Sequence, residues 1–350
     1  RSMYLNTTGS CNVAFGRNAL YTNTTGSHNT ALGHKALCLN TGAQNTASGG
    51  YALNNNTTGK WNTAHGYASL FCNATGCENT ASGYEAGRNI TGCWNTVMGA
   101  CAMYNSTGSH NSAFGYKALA TNVGGQWNVA VGRCALLNNT SGAENTAVGT
   151  NALECNQTSG YNVAVGEEVL RYNTAANNSA VGYKALYTNT TAPNNIAVGY
   201  KALYANTTGE FNVATGSNAM LNNTTGYRNT ASGYSALFTN TTGHCNTAYG
   251  FRSMCKNTTG SNNTASGLYS MYLNTTGCVN VAIGRNALCC NTTGSANVAV
   301  GAYALDDNVG ANNVAVGYST LGSNTSGCFN TASGYRALLQ NTTAKCNTAH

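Results

Sequence analysis

The chain is 350 residues long, with only 7% charged residues, 42 glycines, one proline and a formal net charge of +7. A globular chain averages about 25% charged residues, and charges this sparse do not form the dense basic patch that a nucleic-acid partner requires. There is no run of about 20 apolar residues, so no membrane insertion is expected in this window.

In chain order, the first complete phrase is Asn12 to His28, "NVAFGRNALYTNTTGSH". The same phrase then restarts at Asn29, Asn45, Asn62, Asn79, Asn95, Asn111, Asn128, Asn145, Asn162, Asn178, Asn195, Asn212, Asn229, Asn246, Asn263, Asn280, Asn297, Asn313, Asn330 and Asn347. With that asparagine as slot 1, fifteen of the twenty intervals span seventeen positions and five span sixteen. The frame never breaks, so residues 1–350 read as one continuous repeat region with no internal boundary. It opens and closes in mid-phrase, as a window of a longer chain would.

Seventeen residues are too few for a helix–turn–helix repeat, which needs about 34, and an asparagine and a glycine in almost every unit oppose helix. The period predicts an all-β fold, a parallel β-solenoid of about 20 stacked 17-residue coils with a rise of about 4.8 Å per coil. Two short strands and two turns per coil are expected. Slot 3 is Ala except at Val97, slot 5 is always Gly, and slot 9 is Leu or Met except at Gly87. The small, unvarying slots 3 and 5 are assigned to a narrow interior, and slots 2 and 4 to the opposite face. The asparagines of slots 1 and 12 sit next to turns, where their amides satisfy the backbone and bond to neighbouring coils. Glycine at slots 5 and 15 is expected to supply positive φ. In the 16-residue coils, the missing residue is placed after slot 12 near Asn40, Asn173 and Asn308, and before it near Asn89 and Asn105.

The phrases "NVAVG" (162–166, 297–301), "NVAIG" (280–284) and "NTASG" (45–49, 229–233) resemble the head repeats of YadA-like trimeric autotransporter adhesins, and repeat regions of phage and large-virus fibre proteins. The resemblance covers the whole chain. It implies a left-handed β-roll, a homotrimer or polymeric fibre, and display outside a cell or on a virion surface. The adhesin unit is shorter than the unit of this chain, and the fifteen cysteines are foreign to it.

Candidate sites follow from the slots. Every cysteine lies in a variable slot, and Cys77 and Cys93 share slot 16 in neighbouring coils, which makes them a candidate disulfide pair. Cys289 and Cys290 are adjacent and placed to bond to a neighbouring molecule. The slot-12 sequons Asn23, Asn56, Asn206, Asn240 and Asn274 are candidate glycosylation sites, although one glycan per coil would crowd at this rise, and turn chemistry is the favoured reading. Val129, Val131, Val163, Val165, Val298 and Val300 mark a half-apolar face for self-association. Tyr at slot 6 recurs in adjacent coils, as a packing ridge or a sugar-binding stripe, and Lys184 over Lys201 reads as a solvated face. Slot 17 carries Trp61, Trp94, Trp127 and Tyr161 among Glu78, His110 and Glu144. No C-x-x-C pair, H-E-x-x-H or phosphate-binding loop is present, so neither an enzyme nor a cofactor or metal site is expected.

These readings converge on a structural extracellular filament or fibre shaft. The alternative is an adhesin or receptor-binding fibre recognising surface glycans. A third reading, ice binding, rests on the Thr-Thr pairs of slots 13 and 14.

Overall fold

A strand three residues long opens the coil, at slots 2 to 4, and its alternation explains why the central residue is alanine. In the computed structural model, which describes Arg1–His350, the outer two residues of each strand face outward. The middle alanine is fully buried, as at Ala164, Ala197, Ala231 and Ala282. Successive strands pair parallel and in register, alanine on alanine: Ala147 on Ala164 in one stretch, Ala197 on Ala214 in another. No helix is present.

The chain divides into two compact units, Arg1–Ala176 and Asn177–His350. The first stacks ten such strands, from Val13–Phe15 to Val163–Val165. The second stacks eleven, from Ser179–Val181 to Thr348–Ala349. Each unit is by itself a parallel β-solenoid, with one of these strands in every coil of the repeat.

Three columns fill the interior: the strand alanine, slot 8 (alanine in most coils, with Ser69, Val169, Ser253, Ser270 and Thr320 buried in the same place), and the leucine or methionine of slot 9. Leu186, Leu203 and Leu237 have no exposed surface. Their amides bond from coil to coil, Leu203 N donating to the Ala219 carbonyl at 3.0 Å. Each buried leucine contributes roughly 1.5–3 kcal/mol relative to an exposed one, so the core's energy is spread evenly along the stack.

The far side of the coil is not the second strand that was expected. Slots 5 to 8 and 9 to 12 close as consecutive turns, with Ala202 N bonded to the Gly199 carbonyl at 3.4 Å and Asn206 N to the Leu203 carbonyl at 3.2 Å. Slots 7 and 9 therefore take left-handed backbone, φ 52° at Lys201 and 51° at Leu203. Slot 17 does the same, with φ 58° at Phe211. A strand pair on this side exists only between Asn89–Ile90 and Asn105–Ser106.

Of the two glycine slots, one behaves as expected. Gly233 has φ 137°, and a Cβ there would lie 2.5 Å from the carbonyl oxygen of Gly250. Slot 15 does not have positive φ. Its glycines avoid a close approach instead, the Cβ position of Gly243 falling 2.4 Å from Asn240 Oδ1. Ser159, Ala192 and Ala344 occupy the same slot in other coils, so this constraint yields locally where slot 5 does not.

The four short coils that lie within a unit leave the strand ladder intact, as Thr80 on Thr96 and Val298 on Val314 show. The deletion near Asn89 and Asn105, however, falls after slot 12 and not before it. Asn89 and Asn105 occupy slot 11, and Ile90 and Ser106 take the buried place of the slot-12 asparagine, at 0% and 2% exposure. All five short coils thus shorten the same turn.

Left-handed backbone costs an ordinary residue roughly 1–2 kcal/mol, and β-branched residues tolerate it least. Val279 sits in slot 17 with φ 60° and is 59% exposed, so its side chain returns little packing. Val279→Asn is expected to raise stability by roughly 1 kcal/mol, measured as a higher urea midpoint for the full chain. An unchanged or lower midpoint would show that the strain is absent.

Candidate functional surfaces

The buried polar residues come first, because they decide which surfaces are available. Gly243 presents its carbonyl inward, and two side-chain amides meet it: Asn229 Nδ2 at 2.8 Å and Asn240 Nδ2 at 3.0 Å. Asn240 Nδ2 also donates to Asn223 Oδ1 of the preceding coil at 2.7 Å, while its own Oδ1 accepts from Asn257 Nδ2 of the next at 2.7 Å. In the slot-1 column, Asn246 N donates to Asn229 Oδ1 at 2.9 Å. Asn240 is therefore committed on both nitrogen and oxygen, and the pattern recurs through most of the column, with Asn156 Oδ1 and Asn291 Oδ1 as exceptions left without a partner.

The sequon asparagines lie within this ladder. Asn23, Asn56, Asn206, Asn240 and Asn274 are all fully buried, and the Nδ2 that a glycan would need already donates twice, as in Asn206 to Asn189 and Gly209. A glycan at any of the five would have to displace the ladder.

The cysteines are free thiols in the structure. Cys77 and Cys93 are neighbours in one column as expected, but the contact between them is a hydrogen bond from the Cys77 amide to Cys93 Sγ at 3.1 Å. The threonine hydroxyls of slot 13 are likewise turned along the stack, Thr241 Oγ1 donating to the Thr258 carbonyl at 3.1 Å. They lie in a turn and not on a flat strand face, which removes the array the ice-binding reading needed.

Three outward surfaces remain. The first is the strand face. Val129 and Val163 are 37% and 39% exposed, and Val131, Val165, Val298 and Val300 are half-buried. Six β-branched residues from three consecutive strands, Val281, Ile283, Val298, Val300, Val314 and Val316, form one apolar patch in the second unit.

The second is the tyrosine side. Tyr183 stacks on Tyr200 at 5.4 Å and Tyr187 on Tyr204 at 5.2 Å. Lys184 lies over Tyr183 and Tyr187 at 5.2 and 5.1 Å, and Lys201 over Tyr200 and Tyr204 at 5.3 and 5.6 Å. The two ammonium groups are thus held against ring faces in a cation–π arrangement, a feature the solvated-face reading of this column missed. Slots 6 and 10 flank slot 7 in every coil, so the signal was readable once a coil is viewed as two stacked turns.

The third is slot 17. Trp94, His110 and Trp127 form one continuous stack, with ring centroids 4.8 and 5.6 Å apart and planes within 11° of parallel. The two tryptophans are 51% and 54% exposed. Open hollows beside this column pair Trp61 with Glu78, and Trp127 with Glu144.

What the fold and these surfaces define is a parallel β-solenoid with an asparagine-laddered interior and a variable exterior. No family model, curated protein or solved structure matches the chain. No helix of the structure is long and apolar enough to cross a membrane.

Removing one ladder amide orphans buried partners on both sides, at roughly 1–3 kcal/mol for each unsatisfied group. Asn240→Ala is therefore expected to lower stability by at least that amount, whereas Asn89→Ala, whose amide bonds Asn105 Oδ1 at the exposed surface, stays within about 0.5 kcal/mol of wild type. Denaturant unfolding of both variants checks the contrast. Equal effects would show that the buried ladder does not hold the coil.

Proposed function

We propose that the chain is a structural element of an extracellular filament or fibre shaft, assembling laterally with copies of itself. The observation that carries this reading is the strand face. It is a regular parallel sheet on which valine and isoleucine from consecutive coils are left part-exposed, and contiguous apolar patches of a few hundred Å² mark association surfaces. Burying such side chains contributes roughly 1.5–3 kcal/mol each when complete, and a repeat multiplies the gain coil by coil. The resemblance to adhesin head repeats and fibre proteins favours a homotrimer and display at a cell or virion surface. The interior fits the same role, because a core built from Ala, Leu and Asn columns provides no cavity for a substrate.

The test is the mass of the chain in solution. Light scattering at micromolar concentration is expected to give an oligomer, and Val298→Glu with Val300→Glu is expected to return monomer with an unchanged circular-dichroism spectrum. A monodisperse wild-type monomer would overturn the proposal.

A second reading, glycan recognition by the same shaft, is favoured by one observation: the Trp94–His110–Trp127 stack with a carboxylate at each flank, Glu78 and Glu144. Exposed ring faces stack on the C–H faces of sugars, and a nearby carboxylate accepts their hydroxyl protons. A glycan array is expected to show binding that Trp94→Ala and Trp127→Ala together abolish. Binding retained in that double variant, or none in the wild type, would leave the stack as packing alone.

A further inference from the structure

The only two aspartates of the chain, Asp306 and Asp307, and its only adjacent cysteine pair, Cys289 and Cys290, occupy the same two slots, 10 and 11, of consecutive coils. Stacking brings them together: Cys290 N donates to the Asp306 carbonyl at 2.8 Å. One donor atom each from Cys289, Cys290 and Asp306 lies within 4.8 Å of the other two, with all three residues half-buried. No other trio of His, Cys, Asp or Glu in the molecule comes together in this way. Asp307 is exposed at the rim, and its carboxylate is among the groups that, after burial, raise the Cys290 thiol.

Charge sets this cluster apart from the other cysteines. Burial, then the neighbouring thiol and carboxylates, push the Cys289 thiol up to about 12, and burial followed by Asp307 pushes the Asp306 carboxyl up to about 6. No lysine or arginine offsets these effects, whereas Lys35 does so for Cys38, and Lys256 and Arg252 do so for Cys255. The Cys289 thiol therefore stays protonated until a cation displaces its proton, and no basic side chain competes with that cation. An open hollow on the side of the following coil is lined by Asp306 and Asp307.

We propose that Cys289, Cys290 and Asp306 bind a thiophilic divalent cation of the zinc or cadmium type, with Asp307 or water completing the coordination. Metal–sulfur and metal–oxygen bonds of about 2.3 and 2.0–2.2 Å place tetrahedral donors roughly 3.3–3.8 Å apart, so the side chains close by about an ångström on binding. Two thiolates and a carboxylate select zinc or cadmium over magnesium or calcium. Binding releases the thiol protons to solvent and changes no oxidation state.

The location gives the site a purpose. Asn291 and Asn308 follow Cys290 and Asp307 directly in the inner ladder, and the coil carrying Asn308 is one of the short ones. There Asn308 Nδ2 reaches only the Gly310 carbonyl, at 2.8 Å, and Asn291 Oδ1 is buried with no partner. A cation bridging the two coils clamps the stack where its amide ladder is interrupted.

The experiment uses the full chain reduced with a phosphine and freed of metal by chelation. Titration with Cd²⁺ is expected to give the ultraviolet cadmium–thiolate absorption, saturating at one equivalent and lost in Cys289→Ser/Cys290→Ser. Asp306→Asn, which keeps both thiols, is expected to bind at least about tenfold more weakly, and Zn²⁺ is expected to raise the melting temperature of the wild type alone. Independently of any variant, Zn²⁺ is expected to slow alkylation of Cys289 and Cys290 in the wild type, read by peptide mass, while the other thirteen cysteines react as before. Equal cadmium absorption in the double serine variant, or equal alkylation of all cysteines with and without Zn²⁺, would overturn the proposal.

Discussion

A carbonyl turned inward at a tight corner needs donors, and in this molecule two asparagine side chains supply them. Gly26, Gly42 and Gly243 each receive amides from the slot-1 and slot-12 columns at 2.8–3.0 Å. Water cannot do this in an interior whose other columns are alanine and leucine, and a buried carbonyl left alone costs roughly 1–3 kcal/mol. The carboxamide is the one short side chain that donates twice and accepts through the same planar group. An aspartate would lack the donors, and a glutamine would overreach the corner. With the donors placed, coil length, parallel register and the glycine of slot 15 follow, because the amide must meet the same carbonyl in every turn of the stack.

The strained backbone depends on that ladder. Left-handed φ at slots 7, 9 and 17 is unfavourable for any side-chain-bearing residue, yet it recurs from Met3 to Cys346. It persists because the strained residues donate to neighbouring coils, Lys201 N to the Tyr183 carbonyl of the coil before and Leu203 N to the Ala219 carbonyl of the coil after. Relaxing one coil would therefore break its fit to two others. Stability of this kind is a sum of nearest-neighbour terms. It also confines constraint to the interior columns, leaving slots 2, 4, 6, 7, 10, 11, 16 and 17 free to carry valine, tyrosine, tryptophan, lysine or cysteine without disturbing the core.

Much of this was legible in the sequence because invariance mapped directly onto burial. Ala197, Leu203 and Asn240 are buried where the period placed them, and the amide ladder was anticipated in kind. Gly233, assigned to the interior, is only half-buried, and its invariance follows from its φ of 137° and the close approach of Gly250. The conformation of the far side was not. Its Ala-Leu phrase has the hydrophobicity of a strand, and nothing in the residue types of Lys201 or Leu203 announces left-handed backbone; only closure of so short a coil forces it. Ile90 and Ser106 misled for a related reason. They take the place of an asparagine while Asn89 and Asn105 stand one residue earlier, so aligning by residue identity shifted the turn by one position.

Chemistry on such a scaffold is written across coils and not along the chain. Motif spacings such as C-x-x-C assume that ligands meet through a local turn, whereas here the nearest neighbours of a side chain belong to the coils before and after it. Trp94, His110 and Trp127 meet in that way, as do Lys184 and Lys201 with their tyrosines. Cys290 over Asp307 follows the same geometry, and it lies one slot from a point where the inner ladder loses a bond. The exterior of a solenoid is therefore not a passive coat. Because each outer residue is one bond pattern away from a core column, an outer contact between two coils bears on the same interface as the amides inside, and variable slots are where a repeat too uniform to correct itself internally can be reinforced.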